Sequence, residues 1–369
     1  MQPFRVLVIG GYGFFGSRLV ERLAKQSGLH IVVCGRSDRK ARALVDGLRS
    51  SAKATLSATA LDIFAPTFKQ DLAAIAPAVT IHTSGPFQVQ DYRVAEACLA
   101  CGSHYVDLAD GRQFVEQIVV LDTAAQAAGL SIISGASSVP ALSSAAVDQL
   151  AKGFREIQKI DIGISPGNRT ERGLSTVQAI LSYCGKPLPG SDDTRGWVGI
   201  QRHVYPAPVG ERLLSPCDVP DLALLPGRYP GRPQVRFGAG LELRSLHRGM
   251  NAMALLVRLG LVTDWSVHAP LLKRAADWFK GWGSDAGAMH VTVTGITADG
   301  DLGSRTWHLV ALHGDGPYVP TLAAAALVRK LKDADGSLVG ARPCVGILSL
   351  EDFVRECDGL QIQMTGPIE

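Results

Sequence analysis

Near the start of the chain, Gly10-Gly11-Tyr12-Gly13-Phe14-Phe15-Gly16 has the residue types and spacing to hold a pyrophosphate. Residues 11–16 match G-x-G-x-x-G, directly after the apolar run Val6-Leu7-Val8-Ile9 and before a stretch of helical composition that continues to about Lys25. In such a loop Gly11 is expected to permit the tight turn. Gly13 would let a phosphate approach the backbone, and Gly16 would let the helix pack close to the strand. The helix N-terminus would add free N–H groups and the positive end of its dipole. A second chemical feature follows at Val33-Cys34-Gly35-Arg36-Ser37. A site built for NAD usually places a carboxylate here, to accept from the ribose 2′-hydroxyl. Arg36 stands instead, with Ser37, Arg39 and Lys40 beside it. A guanidinium pairs well with a 2′-phosphate, so NADP is expected in preference to NAD. Asp38 would serve a 2′-hydroxyl if the register shifted. Asp62 is either an adenine contact or a surface carboxylate. Asp107 and Asp110 are candidates for acid–base work or for anchoring a substrate amine; Asp107 has the alternative of capping a loop. Ser137 is a ribose or substrate contact, or the cap of the next helix.

The elements that must carry these residues alternate. Strands are expected at 6–9, 30–34, 55–61, 78–83, 105–108 and 130–134, with helices at 39–49, 94–100 and 114–128. The pattern predicts an α/β fold: a Rossmann doubly wound parallel sheet over residues 1–150. Ligands in such sheets sit beyond the carboxyl ends of the strands, which gathers Ser84, Asp107, Asp110, Ser137 and Ser138. The alternation lapses from about Lys159. Residues 160–164 read as a strand, and Pro and Gly through 185–240 predict irregular connections. Residues 289–297 and 305–312, joined through Asp299-Gly300-Asp301, read as a hairpin. A second α+β domain on a mixed sheet is expected over 151–335, for substrate or dimerisation. Its last helix, 321–332, ends in Arg329, Lys330 and Lys332, which suits the dipole. Ser349 and Asp352 predict a capping box for a helix at 350–357.

Further motifs resemble the saccharopine dehydrogenase-like oxidoreductase family. Ser84-Gly85-Pro86-Phe87 resembles the family's G-P-F loop beside the nicotinamide. Ala97-Cys98, then Cys101-Gly102-Ser103-His104-Tyr105-Val106-Asp107-Leu108, resembles its A-C-x-x-A-G-x-x-Y-V-D block. Gly135-Ala136-Ser137-Ser138-Val139-Pro140, Gly283-Ser284-Asp285 with Met289, Gly314-Asp315-Gly316-Pro317-Tyr318-Val319-Pro320 and Pro343-Cys344-Val345-Gly346 are similar in style. The resemblance implies an NADP cofactor and a C-terminal segment, 336–369, that returns to the nucleotide domain. Many relatives carry Gly-Glu soon after the Y-V-D strand, where this chain has Ala109-Asp110-Gly111-Arg112, so saccharopine itself is not implied as substrate. The expected function is NADP-dependent hydride transfer to or from a small-molecule, amino-acid-derived C=N or C=O. An acyl or enoyl reductase on a lipid-like substrate, and a nucleotide-binding protein without catalysis, are the alternatives.

Bulk composition narrows the partners. The net charge of +3 is too even to point to nucleic acid. Seven cysteines, an odd number, fit a reduced, cytoplasmic setting. No segment reaches the roughly 18 apolar residues of a membrane span. Tyr-x-x-x-Lys and H-E-x-x-H are absent from the sequence, and Cys98-Leu99-Ala100-Cys101 has no second pair to complete a zinc site, so no metal is expected. His247 and His290 could approach the ligand from the second domain. The stretch 252–282 holds Trp265, Trp278 and Trp282 of the chain's five tryptophans, with Arg258, Lys273, Arg274 and Lys280 interleaved. It reads as a core or dimer-facing helical pair, or as a patch for a lipid substrate or peripheral membrane contact; a homodimer is expected. Glycine, 40 of 369 residues, exceeds the average of about 7%. The loop at 10–16 and Gly35, Gly85 and Gly135 give part of that excess a cofactor-based reason.

Overall fold

A computed structural model of the chain describes residues 3–189, 193–333 and 336–367. In chain order the first elements are β1 (Phe4–Ile9), α1 (Phe14–Ala24), β2 (Leu29–Gly35), α2 (Asp38–Leu48), β3 (Thr55–Ala60), α3 (Phe68–Ile75), β4 (Val79–His82), α4 (Arg93–Cys101), β5 (His104–Asp107), α5 (Arg112–Glu116), α6 (Asp122–Ala128) and β6 (Ser131–Ser134). There follow α7 (Ser143–Ala151), β7 (Phe154–Ser165), α8 (Leu174–Ser182), β8 (Gln201–Tyr205), β9 (Gly210–Pro216), α9 (Asp221–Leu224), β10 (Gln234–Ala239), α10 (Arg244–Arg258), α11 (Ala269–Asp277), β11 (Gly287–Thr297) and β12 (Leu302–Ala311). The chain closes with α12 (Val319–Lys332), β13 (Gly340–Pro343), α13 (Leu350–Glu356) and β14 (Ile362–Thr365). It divides into two units: Met1–Leu142 with Tyr318–Leu348, and Ser143–Pro317 with Ser349–Glu369.

The first unit is a Rossmann-type sheet of seven strands in the order β13-β6-β5-β4-β1-β2-β3, each pair parallel. Its central strands are largely buried because helices cover both faces, and β1 carries the unbroken apolar run Val6–Ile9. Leu7, Ile9 and Tyr105 pack with Leu72 of α3, Val94 and Cys98 of α4 and Ala125 of α6 on one face. On the other, α12 lies against α1, β4 and β5, and its Ala323, Ala324 and Ala325 are fully buried. Small side chains there let the helix approach the sheet closely.

Several elements differ from the sequence reading. The single helix expected at 114–128 is broken into α5, a 3-10 turn at Gln117–Leu121, and α6. Ile118, Val119 and Val120 form a β-branched run that is stiff at χ1 and disfavours a continuous helix. Helix α3 was not anticipated. The first unit ends at Leu142 rather than 150, and α12 belongs to it rather than to the second domain. The C-terminal return is split: β13 pairs with β6, whereas β14 pairs with β12, His308 opposite Thr365. Residues 368–369 of that segment lie outside the described residues.

The second unit carries a mixed sheet in the order β14-β12-β11-β7-β10-β9-β8, with β10 parallel to β7 and the other pairs antiparallel. The β11–β12 hairpin and the Ser349–Asp352 capping box match expectation. Residues 185–240, expected to be irregular, instead contain β8, β9 and β10. Strand β8 is an edge strand with exposed Gln201, Arg202 and Val204, so it offers no clean alternation to read. The sheet curls into a half-barrel. His203 on β8 stacks on His290 of β11 with centroids 3.6 Å apart and an interplanar angle of 4°, and its Nε2 lies 3.1 Å from His308 Nε2 on β12.

Candidate nucleotide-binding site

The glycine loop occupies the turn between β1 and α1. Gly10 takes the left-handed backbone, with φ of 77°, so the tight turn expected of Gly11 belongs to its neighbour. The N–H groups of Gly10 and Gly11 both donate to Cys34 O, at 2.9 and 3.0 Å, and Gly13 N–H donates to Gly10 O at 2.7 Å. A Cβ on Gly11 would stand 2.9 Å from Val33 Cγ1. One on Gly16 would collide with Gly10 O and reach 2.8 Å from Thr83 Oγ1. Gly16 thus permits close packing of the helix onto the loop. Helix α1 opens after Gly13 without a side-chain cap and without an acidic residue in its first turn. The helix's own cap and first turn therefore offer these N–H groups and the dipole no carboxylate, which suits a phosphate. Arg18 steadies this start, 4.2 Å from the Phe14 ring centroid and bonded to Phe14 O at 2.6 Å. The Phe14 and Phe15 rings meet edge to face at 4.9 Å.

At the end of β2, Tyr12 reaches across. Its hydroxyl accepts the Ser37 N–H at 2.9 Å, and a Cβ on Gly35 would lie 2.7 Å from its Cε1. The space over Gly35 is filled by the protein's own tyrosine rather than kept clear for a ligand. Ser37 caps α2, its Oγ accepting from Lys40 N–H at 3.4 Å. Asp38, the carboxylate that could have served a 2′-hydroxyl, is paired with Arg42 at 2.5 Å. Arg36 and Lys40 are exposed. Asp62 is exposed and stands past the outermost strand β3, accepting from Phe64 N–H at 3.0 Å.

The loops after β4, β5 and β6 meet at the same edge of the sheet. Thr83 donates from both N–H and Oγ1 to Ile9 O, each at 2.9 Å. This brings Ser84 against Gly10, where an added Cβ would strike Ser84 Oγ. Gln90 Nε2 holds the Ser84-Gly85-Pro86 loop by donating to Ser84 O at 2.6 Å and Pro86 O at 3.0 Å. Phe87 is buried, its ring 5.1 Å from His82 and 5.4 Å from Phe114. Asp107 is fully buried. Its Oδ1 accepts from Ala109 N–H at 2.9 Å, Gly135 N–H at 2.8 Å and Ser134 Oγ at 3.0 Å. Burial pushes its carboxyl up to about 6, against the pull of those donors. Asp107 therefore ties the β5 loop to the end of β6. Asp110 is half-buried, with Oδ1 accepting from Gln88 Nε2 at 3.1 Å, and so joins the β5 loop to the β4 loop. Ser137 is buried, and its N–H donates to Gly135 O at 2.8 Å.

The remaining sequence candidates have structural settings. His247 is fully buried in the second unit, with Nε2 3.0 Å from Ser215 Oγ and Nδ1 accepting from Leu241 N–H at 3.3 Å. His290 is buried against Tyr205, at 3.0 Å through Nδ1. Cys98 is buried, which pushes its thiol up to about 12. Among the described residues no group of three or more His, Cys, Asp or Glu is placed to hold a metal ion. Sequence reasoning missed the Tyr12–Ser37 link and the three-histidine cluster of the second unit. No local pattern signals the first, because Tyr12 meets Gly35 and Ser37 only in the tertiary structure. For the second, the expected hairpin sets His290 opposite His308, but no spacing signals that His203 joins them.

Comparison with known proteins agrees with this geometry. Residues 6–133 match the family model of the saccharopine dehydrogenase NADP binding domain. A candidate trans-acting enoyl reductase of Mycobacterium tuberculosis is 32% identical over 121 residues, covering 32% of this chain and 28% of that protein. A saccharopine dehydrogenase-like oxidoreductase of Rattus norvegicus is 30% identical over 155 residues, covering 38% of this chain and 36% of that protein. The match thus spans about a third of each relative's length. The apo saccharopine dehydrogenase (L-Glu forming) of Saccharomyces cerevisiae aligns over 98% of this chain and 99% of its own, with a TM-score of 0.67 at 13% identity, and so shares the fold. Over residues 6–133 the chain is thus similar to the saccharopine dehydrogenase NADP binding domain, and over nearly its whole length it shares the fold of a saccharopine dehydrogenase.

Proposed function

We propose that the protein is an NADP-dependent oxidoreductase acting on a small-molecule C=N or C=O, of amino-acid-derived type. The observation that carries this reading is the cradle itself. An uncapped α1 follows a glycine loop in which added side chains would collide, and Arg36 stands where a carboxylate would select NAD. NADP, when bound, supplies or accepts the hydride. The chain's own residues do the rest. The N–H groups at the start of α1 hold the pyrophosphate, and Arg36 with Lys40 answers the 2′-phosphate. Tyr12 sets the distance between these two subsites. Asp110 is the group we assign to proton transfer or to a substrate amine, since it is half-buried at the strand ends while Asp107 is committed to loop contacts. Seven free cysteines support a reducing, cytoplasmic setting. The family match and the relatives named as oxidoreductases support the same class.

A second reading, reduction of an enoyl group on a lipid-like chain, is favoured by the name of the mycobacterial relative. NADPH consumption against imines, carbonyl compounds and enoyl thioesters separates the two. The first reading expects turnover with the imine or carbonyl set. It also expects a kcat loss of about a hundredfold in Asp110→Asn. Turnover with enoyl thioesters alone would replace it by the second, and cofactor binding without turnover in any class would reject catalysis.

A further inference from the structure

We propose that the second unit docks on an anionic lipid bilayer through the outer face of α11 and the end of α10. The helical segment has two faces. Ala269 is buried and α11 packs on α8. On the opposite side Val267, Leu271, Trp278 and Trp282 are 73%, 67%, 86% and 62% exposed. Leu271 and Arg274, three residues apart, share one face of α11, while Val267 stands in the 3-10 turn before it and Trp278 and Trp282 in the turns that follow. The core reading of this stretch is thereby overturned for Trp278 and Trp282. Trp265 alone of the three is anchored inward, its Nε1 donating to Met253 O at 3.0 Å.

The outward indole of Trp282 is not a product of a loose chain. Asn168 Nδ2 donates to Phe279 O at 2.7 Å and to Trp282 O at 3.1 Å, fixing the turn that presents it. At the end of α10, Leu255, Leu259 and Leu261 are also exposed, with Arg258 between them. Large apolar side chains left this exposed, and grouped in two neighbouring stretches of sequence, are the kind that mark an interaction surface.

Charge selects the occupant. Lys273 is paired with Asp277 at 2.8 Å, and Lys280 lies 3.9 Å from Glu171. Arg258 and Arg274 have no ion-pair partner among the described residues. They sit within the apolar positions, where anionic headgroups would neutralise them while the indoles enter the interface. An isologous contact with a second copy would instead lay this cationic patch against its own like charges.

The test is co-sedimentation of the full chain with vesicles of phosphatidylcholine alone and with added phosphatidylserine, alongside light scattering. Binding is expected only with phosphatidylserine. Trp278→Ser with Trp282→Ser should weaken it by more than about tenfold. Arg274→Gln should weaken it by about fivefold, from roughly 1 kcal/mol per surface cation. Both variants should keep the wild-type melting temperature, because these side chains are exposed. No sedimentation with phosphatidylserine vesicles would overturn the proposal, as would binding unchanged by the tryptophan variant. A dimer that those substitutions abolish would assign the face to a second copy and overturn it equally.

Discussion

The Tyr12 hydroxyl accepts the Ser37 N–H at 2.9 Å, tying the glycine loop after β1 to the cap of α2. The contact joins the two stretches proposed to bind the cofactor's phosphates, so their spacing is set by a side chain. Tyr12→Phe removes one hydrogen bond and keeps the ring over Gly35. Its expected effect is a loss of NADPH affinity of about two- to tenfold, from a net hydrogen bond of roughly 0.5–1.5 kcal/mol. Calorimetric titration checks this; unchanged affinity would show that the link does not set the site.

Gly35→Ala tests the same relationship from the other side. A Cβ there would stand 2.7 Å from the Tyr12 ring, so the tyrosine must move. Overpacking of this kind costs about 1–3 kcal/mol. A lowered denaturation midpoint with weaker NADPH binding is expected. The double variant Tyr12→Ala with Gly35→Ala should recover the stability, and failure to do so would place the strain elsewhere.

Gly16→Ala should be more damaging. Its Cβ would collide with the backbone carbonyl of Gly10, which cannot swing aside as a side-chain end can, and would reach 2.8 Å from Thr83 Oγ1. Loss of soluble protein, or of most NADPH binding, is the expected outcome. Wild-type binding in this variant would contradict the packing described.

Asp107 carries a pH signature. Burial raises its carboxyl to about 6 from 3.8, so the folded protein holds a proton that the unfolded chain has lost between those values. Its contribution to stability therefore falls as pH rises from about 4 to about 6 and is flat above. Histidines act in the opposite sense: burial lowers His82 to about 3 and His203 to about 4, so their contribution is lost as pH falls. Asp107→Asn isolates the carboxylate. The variant's stability relative to wild type should improve as pH rises across that window. A difference that does not change with pH would refute the assignment.

Much of the first unit was legible because its strands are short apolar runs between helices, and the glycine loop has a fixed mechanical logic. The boundaries were less so. The helix at 114–128 broke at Ile118-Val119-Val120, where local stiffness outweighed an otherwise helical composition. The hairpin of β8 and β9 is not legible in the sequence because the edge strand β8, with exposed Arg202 and Val204, carries no buried alternation. In the sequence, Gly35 reads as room for a ligand. It is room for Tyr12, a tertiary contact between residues 23 positions apart that no local pattern reveals. His290 and His308 are cross-strand partners in the β11–β12 hairpin, and His203 of β8 reaches them only because the sheet curls, a property of the whole sheet.

On the proposed reading the first unit binds NADP through the α1 cradle and recognises its 2′-phosphate through Arg36. Titration of the wild type and of Arg36→Ala with NADPH and NADH, followed by cofactor fluorescence, tests it most directly. Wild type should prefer NADPH, and Arg36→Ala should lose about tenfold or more of NADPH affinity, as expected for a charge-assisted pair, with NADH little changed. Absence of saturable binding of either cofactor, or equal losses for both in Arg36→Ala, would contradict the account.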